Sequence, residues 1–250
     1  MTKTRKVLVT GASRGIGAAI ARDLAKRGYD VALNDIAAQK DVLKALKDEI
    51  RDLGNQAEVY FADVSDKKQV NAMCKQALDD FGAFDALVNN AGILTAYPVD
   101  TLPEGDWDRV LDINAKGVFL IIQSLLPSMK ARKYGRIVNI ASIGGKHGAP
   151  EQAHYSASKA AIMGFSRVLA QEVGAFGITV NCVCPGIILT DMGRVNLDEP
   201  QIRDSWIAKT ALQRIGAPED ITGPVAFFAS DDSAFVTGQT LNVDGGIVFS

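Results

Sequence analysis

The chain of 250 residues is poor in the residue types that mark several protein classes. It has three cysteines, Cys74, Cys182 and Cys184, an odd number without the spacing of metal ligands, so we expect neither a disulfide scaffold nor a metal site. Cys182 and Cys184 alternate along a predicted strand and are expected to be small buried hydrophobic residues. The two histidines, His147 and His154, are too few for a metal centre. We expect both to be solvated loop residues, and the alternative for each is a place in the wall of a substrate pocket.

The sequence also lacks an excess of one charge and a long apolar segment near its start. Its 27 basic and 29 acidic residues give a net charge of −2, which offers no support for a nucleic-acid partner. The opening stretch, MTKTRKVLVT, is not apolar enough for a signal peptide or a membrane span. We therefore expect a cytoplasmic protein without a membrane partner.

Short apolar runs alternate with segments of helical period from end to end. Predicted strands are Lys6–Thr10, Asp30–Asn34, Ala57–Asp63, Phe84–Asn90, Arg136–Ser142, Ile178–Cys184 and Thr240–Gly246. Strands that alternate with helices indicate βαβ units and a parallel sheet. The sequence predicts an α/β fold: one doubly wound domain over residues 1–250, with a seven-stranded parallel sheet and helices on both faces. Ser65 is the predicted N-cap of the helix that ends at Phe81. Residues 189–210, of mixed polarity, form an insertion that is either a lid or a peripheral helix pair.

A glycine-rich stretch, VTGASRGIGAAI, follows the first strand and opens the first helix. Its glycines, Gly11, Gly15 and Gly17, suit a tight turn where the backbone approaches a ligand closely. The helix start beyond it offers free N–H groups and a partial positive charge to a phosphate. This position in the first βα unit predicts a dinucleotide site.

The end of the second strand bears on which dinucleotide is bound. Asp35 can accept hydrogen bonds from both adenosine ribose hydroxyls and would repel a 2′-phosphate, which favours NAD(H). Arg14 argues for NADP(H), because a guanidinium can pair with that phosphate. We give the carboxylate more weight and expect NAD, with NADP as the less favoured alternative. Asp63 is expected beside the adenine, and N-N-A-G (Asn89–Gly92) lets the backbone approach the cofactor.

The stretch HYSASKAAIMG carries a tyrosine and a lysine four positions apart. Tyr155 and Lys159 lie on one helix face, where an ammonium can lower the pKa of a phenol toward the range needed for acid–base catalysis. Ser142 lies at the carboxyl end of a predicted strand, where its hydroxyl could hold a substrate oxygen. Asn114 lies in an otherwise apolar helix, and it could either link Lys159 to solvent through a water or be a satisfied core amide.

In order along the chain, these motifs resemble the short-chain dehydrogenase/reductase family. The resemblance rests on T-G-x-x-x-G-x-G (Thr10–Gly17), N-N-A-G (Asn89–Gly92), Asn114, Ser142, Tyr155-x-x-x-Lys159 and P-G-x-x-x-T (Pro185–Thr190), and it covers nearly the whole chain. It implies a Rossmann domain with strand order 3-2-1-4-5-6-7. It also implies a homotetramer in which the helix of Tyr155 packs across one interface and the last strand lies near another.

The resemblance also implies residue roles. Tyr155 would be the general acid/base, Lys159 would bind the nicotinamide ribose and lower the pKa of the tyrosine, and Ser142 would orient the substrate. Asn114 would support a proton relay as the fourth catalytic residue. The expected cofactor-binding set is Gly11, Ser13, Arg14, Gly15, Ile16, Gly17, Asp35, Asp63, Val64, Asn90, Ala91, Gly92, Tyr155, Lys159, Pro185, Gly186, Ile188 and Thr190. The expected substrate-binding set is Ser142, Ile143, Gln152, Met192 and Trp206, with Leu94 and Arg194 on the same wall.

The expected activity is NAD(H)-dependent interconversion of a secondary alcohol and a ketone, on a polyol, sugar or hydroxyacyl-type small-molecule substrate. The alternative is an NADPH-dependent 3-oxoacyl-thioester (acyl-carrier-protein) reductase, because SRGIG and GITVN look like the bacterial β-ketoacyl reductases. Two departures count against it: Asp35, and Phe176 where carrier-protein-dependent members tend to have a basic residue. Lys130, Arg132 and Lys133 are interpreted as an exposed helix end. A third, less favoured hypothesis is a dinucleotide-binding regulator without turnover.

Overall fold

Seven parallel strands form the centre of the computed structural model, which describes residues 4–194, 197 and 199–249. The strands are β1 (Arg5–Thr10), β2 (Tyr29–Asp35), β3 (Ala57–Phe61), β4 (Ala86–Asn89), β5 (Gly135–Ile140), β6 (Ile178–Pro185) and β7 (Thr240–Val243). Their order in the sheet is β3-β2-β1-β4-β5-β6-β7, and each adjacent pair is parallel. The predicted fold class, sheet and strand order are therefore confirmed.

Helices connect the strands and cover both faces of the sheet. They are α1 (Gly15–Lys26), α2 (Lys40–Asp52), α3 (Lys67–Phe81), α4 (Glu104–Leu111), α5 (Gly117–Arg132), α6 (Gly144–His147), α7 (Ala153–Val173), α8 (Asp191–Arg194), α9 (Pro200–Lys209) and α10 (Pro218–Ala229). A π-helical segment, Asp112–Lys116, joins α4 to α5. Short 3₁₀ turns occupy Ala37–Gln39, Gly174–Phe176 and Asp231–Ser233.

Two separate hydrophobic cores lie on opposite faces of the sheet. Successive residues of a strand point to opposite faces, so Val7 and Val9 join the core under α1, α2 and α10, whereas Leu8 joins the core under α3, α5 and α7. The strands are apolar on both faces because each face is covered by helices. Burial on both sides fixes the sheet as the rigid base that positions the strand ends.

In the part of the chain that the structure describes, one helical run, from Glu104 to Arg132, is long and apolar enough to cross a membrane, judged by length and composition alone. Leu120, Ile121 and Leu125 on this run are buried in the core beside α3. A core helix of a globular domain has the same composition, so the run gives no membrane assignment.

Several predicted boundaries differ from the observed ones for local reasons. Asp66, not Ser65, is the N-cap of α3, because its carboxylate accepts hydrogen bonds from the backbone N–H groups of Lys68 and Gln69. β7 ends at Val243 rather than at Gly246, since Gly245 and Gly246 have positive φ values of 68° and 83° that an extended strand cannot contain. The three cysteines are unpaired and buried, and Cys182 and Cys184 share one core, as their alternation predicts.

The segment over residues 189–210 separates β6 from α10. It contains α8 and α9, and α9 has no buried residue, so the segment lies at the periphery of the fold. Met192 and Trp206 nevertheless line the large cleft of the molecule. Residues 195, 196 and 198 of the predicted insertion lie outside the described residues.

Candidate active site

A cleft of about 1080 Å³ opens at the carboxyl ends of the strands, over the point where the strand order reverses between β1 and β4. The helices that follow β1 and β4 depart to opposite faces of the sheet there, which leaves a crevice that open α/β sheets use for ligands. The loops after β1, β2, β4, β5 and β6 all contribute to its walls. The predicted motifs therefore converge on one place.

The glycine loop is held in a conformation that larger residues could not adopt. Gly11 has a positive φ of 62°, and a Cβ on Gly17 would lie 2.1 Å from the Gly11 carbonyl oxygen. Asn90 fixes the loop from the next strand, because its amide donates to the carbonyl oxygens of Thr10 and Gly11. The Ser13 hydroxyl is buried beside this loop without a hydrogen-bond partner among the described residues. An orphaned hydroxyl at a helix start fits a phosphate, as does the short backbone approach.

Asp35 faces the cleft at the end of β2. Its carboxylate accepts hydrogen bonds from the Ser13 N–H at 3.1 Å and the Ile36 N–H at 2.8 Å. These two bonds hold the carboxylate beside the glycine loop, where an adenosine ribose would lie if a dinucleotide ran along the loop. Arg14 lines the same cleft, and its guanidinium lies 3.6 Å from the Asp191 carboxylate in an exposed ion pair.

Ser142, Tyr155 and Lys159 meet on the opposite wall of the cleft. Ser142 follows β5, and its hydroxyl accepts a hydrogen bond from the Gly144 N–H at 3.0 Å and is hydrogen-bonded to Tyr155. The Lys159 ammonium lies one helical turn beyond and 5.7 Å from the centre of the Tyr155 ring. It donates to the Ile140 carbonyl oxygen at 2.8 Å, which fixes the lysine on β5. The helix face that the Y-x-x-x-K spacing predicts is the face turned to the cleft.

The pKa values of Tyr155 and Lys159 are shifted differently from the prediction. Burial raises the pKa of Tyr155, and the hydrogen bond from Ser142 opposes that rise. Burial also lowers the pKa of Lys159 to about 8. The expectation that the ammonium depresses the phenol pKa is wrong for the free protein, because both groups are desolvated and the dominant effect on each favours its neutral form.

Asn114 is a satisfied core amide, one of the two alternatives left open by its residue type. It is fully buried in the π-helical segment. Its side-chain oxygen accepts from the Ile93 N–H at 2.8 Å, and its amide donates to the Ile93 carbonyl oxygen at 2.9 Å and to the Ser158 hydroxyl at 3.1 Å. The side chain therefore ties the loop after β4 to the helix that carries Tyr155.

Most of the predicted cofactor and substrate residues line the cleft, including Ile143, Gln152, Met192 and Trp206. Three predicted residues, Ser13, Gly17 and Asn114, lie behind its walls, and Arg194 is not on the substrate wall. The expectation of two solvated loop histidines is wrong for His154, whereas His147 is exposed. His147 ends α6 and lines the cleft, whereas His154 is fully buried in the first turn of α7.

The structure gives contacts to two strand-end residues outside the predicted binding set. Thr10, the first residue of the glycine motif, ends β1, and its hydroxyl accepts hydrogen bonds from the backbone N–H groups of Asn90 and Ala91 at 3.0 and 3.1 Å. Asn34 lines the cleft, and its amide donates to the carbonyl oxygens of Tyr60 and Ala62. Each lies at a strand end, in or next to a predicted motif, which was the available signal.

Comparison with known proteins agrees with this site. A family model described as Enoyl-(Acyl carrier protein) reductase matches residues 11–248. The chain is 42% identical over 247 residues to 3-oxoacyl-[acyl-carrier-protein] reductase FabG of Staphylococcus aureus (strain Mu50 / ATCC 700699), covering 99% of each chain. It is 42% identical to the (2S)-[(R)-hydroxy(phenyl)methyl]succinyl-CoA dehydrogenase subunit BbsD of Thauera aromatica, covering 98% of this chain and 96% of that one.

A solved structure gives the same picture. The gluconate 5-dehydrogenase from Burkholderia cenocepacia J2315, in complex with NADP and tartrate, superposes with a TM-score of 0.93 at 35% identity, covering 97% of this chain and 94% of that one. This chain thus combines the glycine loop, the seven-stranded parallel sheet and the Ser142–Tyr155–Lys159 wall, and it is similar to reductases and dehydrogenases, one of them solved with NADP. The protein belongs to the short-chain dehydrogenase/reductase family, and it is an oxidoreductase that acts on CH–OH groups with a nicotinamide dinucleotide.

Proposed function

We propose that this protein interconverts 3-oxoacyl thioesters and the corresponding 3-hydroxyacyl thioesters. The observation that carries the proposal is the meeting of Ser142, Tyr155 and Lys159 on one wall of the cleft, opposite the glycine loop. Relatives that match the chain end to end, FabG and BbsD, are named for acyl thioesters of a carrier protein and of CoA. This substrate class was the alternative of the sequence analysis, and the comparisons support it better than the polyol or sugar hypothesis.

The substrate wall of the cleft supports an acyl chain on physical grounds. Five of its residues are apolar, and they are Leu94, Ile143, Pro150, Met192 and Trp206. A polyol would leave hydroxyl groups without partners against such a wall, and an unpaired buried polar group is costly. An acyl chain would gain from the same burial. The polar residues Gln152 and His147 on this wall leave room for the thioester end.

The proposed roles follow from the contacts of each side chain. In ketone reduction the Tyr155 hydroxyl donates a proton to the substrate oxygen, and the raised pKa of the free phenol keeps that proton in place at neutral pH. Ser142, bonded to Tyr155, holds the same substrate oxygen. Lys159 faces both the tyrosine and the cleft, where it would bind the nicotinamide ribose. Asn114 acts through Ile93 and Ser158 and is a positioning residue.

A nicotinamide dinucleotide fits the residues of the cleft and, when bound, supplies or accepts the hydride. The glycine loop and the buried Ser13 hydroxyl would hold the pyrophosphate. The nicotinamide end would lie between Tyr155 and the segment from Pro185 to Thr190, both of which line the cleft. The remaining predicted cofactor residues, from Asp63 and Val64 to Asn90, Ala91 and Gly92, line the span between these ends.

We propose NAD(H) as the preferred cofactor, on the position of Asp35. The NADP-bound gluconate 5-dehydrogenase favours NADP(H), as does Arg14 in the loop. Asp35, however, places a carboxylate in the cleft beside Ser13, and like charges about 4 Å apart repel by roughly 1 to 4 kcal/mol. The change Asp35→Asn should therefore improve NADP affinity relative to NAD by about tenfold or more. Exposed Asp41→Asn on α2 is the matched control, and an unchanged NAD-to-NADP ratio in Asp35→Asn would remove the carboxylate from the argument.

Turnover of a substrate panel tests the proposed function. Rates should be followed by NAD(P)H absorbance with 3-oxoacyl-CoA, the same acyl group on an acyl-carrier protein, gluconate, polyols and cyclic ketones. We expect the highest kcat/KM with the thioesters; a higher value for gluconate or a polyol would overturn the substrate class.

Tyr155→Phe should lose about 10²- to 10⁴-fold in kcat with unchanged cofactor binding. Tyr134→Phe, a phenol at the amino ends of the strands bonded to Asp231, is the control. If Tyr155→Phe turns over substrate at the parent rate, the acid–base role is excluded. If the parent turns over no substrate of the panel, a dinucleotide-binding regulator is favoured.

The carrier of the thioester is open between CoA and a carrier protein. Phe176 stands where a basic residue is expected in carrier-protein-dependent members, and the Lys130 ammonium lies 5.0 Å from its ring. Arg132 donates to Asp85 and to the Phe84 carbonyl oxygen. Lys130 and Arg132 therefore have partners within the protein. Comparison of kcat/KM for 3-oxoacyl-CoA and for the same acyl group on an acyl-carrier protein distinguishes the two carriers.

We also propose that the protein is a cytoplasmic homotetramer. Two further proposals are that residues 1–250 form a single domain and that residues 189–210 cover the substrate. Two apolar faces support assembly. Phe119 on α5 packs edge-on against Phe165 on α7, and both Phe119 and Val168 are exposed. Phe235 is fully exposed close to β7. Light scattering should report four protomers for the parent and fewer for Val168→Glu; an unchanged mass would exclude this face.

A further inference from the structure

His154 lies in an unusual environment directly before Tyr155. Its imidazole is fully buried although its position at the start of α7 is close to the surface loops. Nε2 lies 2.7 Å from the Thr95 hydroxyl, and Nδ1 has no hydrogen-bond partner among the described residues. A side chain present only to fill space would be apolar, because an unpaired buried nitrogen is costly. The bond to Thr95 is therefore the feature of this histidine that needs an explanation.

Thr95 belongs to the loop after β4, and this loop forms part of the substrate wall. Its neighbour Leu94 lines the cleft. On one side of Leu94, Ile93 is bonded twice to Asn114, and on the other side Thr95 is bonded to His154. Leu94 thus lies between two anchored residues. A further bond, from the Tyr97 N–H to the Glu151 carbonyl oxygen at 2.8 Å, joins the same loop to the segment before α7.

We propose that His154 is a substrate-positioning residue, which holds Leu94 of the substrate wall at a fixed distance from Tyr155 through its hydrogen bond to Thr95. The link is short, since His154 is adjacent to Tyr155 in α7 and Thr95 is adjacent to Leu94. Rigid placement of a wall residue relative to the reacting group governs how well a bound ketone is oriented. The inference rests on the proposed function only in taking the cleft as the site of the carbonyl substrate.

Paired conservative and isosteric variants test the hydrogen bond. Thr95→Val keeps the shape and loses the hydroxyl, whereas Thr95→Ser keeps the hydroxyl. His154→Leu loses the bond, and His154→Gln keeps a polar group near Thr95. We expect Thr95→Val and His154→Leu to lower kcat/KM for the ketone by about five- to tenfold, the effect of one hydrogen bond. Their cofactor KM should stay at the parent value, and Thr95→Ser and His154→Gln should behave as the parent.

Amide hydrogen exchange of the loop gives a second readout that needs no turnover. Peptides over residues 91–103 should exchange faster in Thr95→Val than in the parent or in Thr95→Ser. Equal exchange and equal kcat/KM in Thr95→Val and Thr95→Ser would overturn the inference. Faster exchange with an unchanged kcat/KM, or an equal rise in cofactor KM, would also overturn it, because the bond would then not position the substrate. If the parent has a higher kcat/KM with another ketone than with the 3-oxoacyl thioesters, the proposed function fails, and the same comparison on that ketone still tests His154.

Discussion

Replacing Lys159 by methionine should make the free protein more stable at neutral pH while it removes activity. Lys159 is only 4% exposed, and burial lowers its pKa from the ordinary 10.5 to about 8. One pKa unit corresponds to about 1.4 kcal/mol, so keeping this side chain charged at pH 7 opposes folding by about 3 kcal/mol. Methionine removes that cost but also the hydrogen bond to the Ile140 carbonyl oxygen, worth about 1 kcal/mol. The expected net gain is about 2 kcal/mol.

The pH dependence carries the sharper test. Because the folded pKa lies below the unfolded one, the unfolded chain binds more protons at Lys159 between pH 8 and 10.5. The free energy of unfolding contributed by this group therefore rises with pH across that window in the parent. The methionine variant lacks the rise, so its advantage at pH 7 should shrink and disappear as the pH approaches 10.

Urea unfolding followed by far-ultraviolet circular dichroism measures the effect. The parent, Lys159→Met and the control Lys44→Met, whose lysine is exposed on α2, should be compared from pH 7 to 10 at one protomer concentration without cofactor. Lys44→Met should follow the parent. A Lys159→Met variant that is less stable than the parent at pH 7, or that keeps the parent's rise between pH 8 and 10, would refute the desolvation argument.

Three further outcomes are expected. Gly17→Ala should lose dinucleotide binding in an NADH fluorescence titration, because the new Cβ would lie 2.1 Å from the Gly11 carbonyl oxygen; binding at the parent affinity would contradict the loop geometry. Ser142→Ala should move the pH profile of alcohol oxidation to higher pH, since the Ser142 hydrogen bond opposes the rise of the Tyr155 pKa; a profile unchanged or moved down would exclude that coupling. The Arg214 hydrogen bond lowers the pKa of Asp220 to about 2, so its contribution to stability is present above pH 3.8 and is lost as the pH falls through 2. Asp220→Asn should be less stable than the parent at pH 5 and approach it near pH 2, as measured by urea midpoints; a constant difference would refute the linkage.

The sequence predicted the sheet well because its signals are local. Each strand is an apolar run that must be covered on both faces, and the glycine loop follows the first of them directly. Tyr155 and Lys159 share a helix face by their spacing alone, and the structure turns that face to the cleft. The helix cap at Asp66 and the end of β7 were misplaced, because neighbouring residues of similar propensity compete and only backbone geometry selects among them.

Features that depend on contacts between distant segments could not be read from the sequence. Asn114 is a satisfied core amide because Ile93 and Ser158 offer partners to its side chain, and the buried His154 finds its partner in Thr95. The pKa of Tyr155 is raised rather than lowered because burial disfavours the charged phenolate, an effect that an i, i+4 spacing does not encode.

By itself the sequence determined the order of elements, the glycine loop and the identity of the reacting pair, since each is encoded within a few neighbouring residues. Tertiary structure alone decided which strand ends meet, how Ser142 contacts Tyr155, and which polar groups lose their water. The physical reason is that desolvation and long-range hydrogen bonds are properties of the packed chain, not of any segment of it.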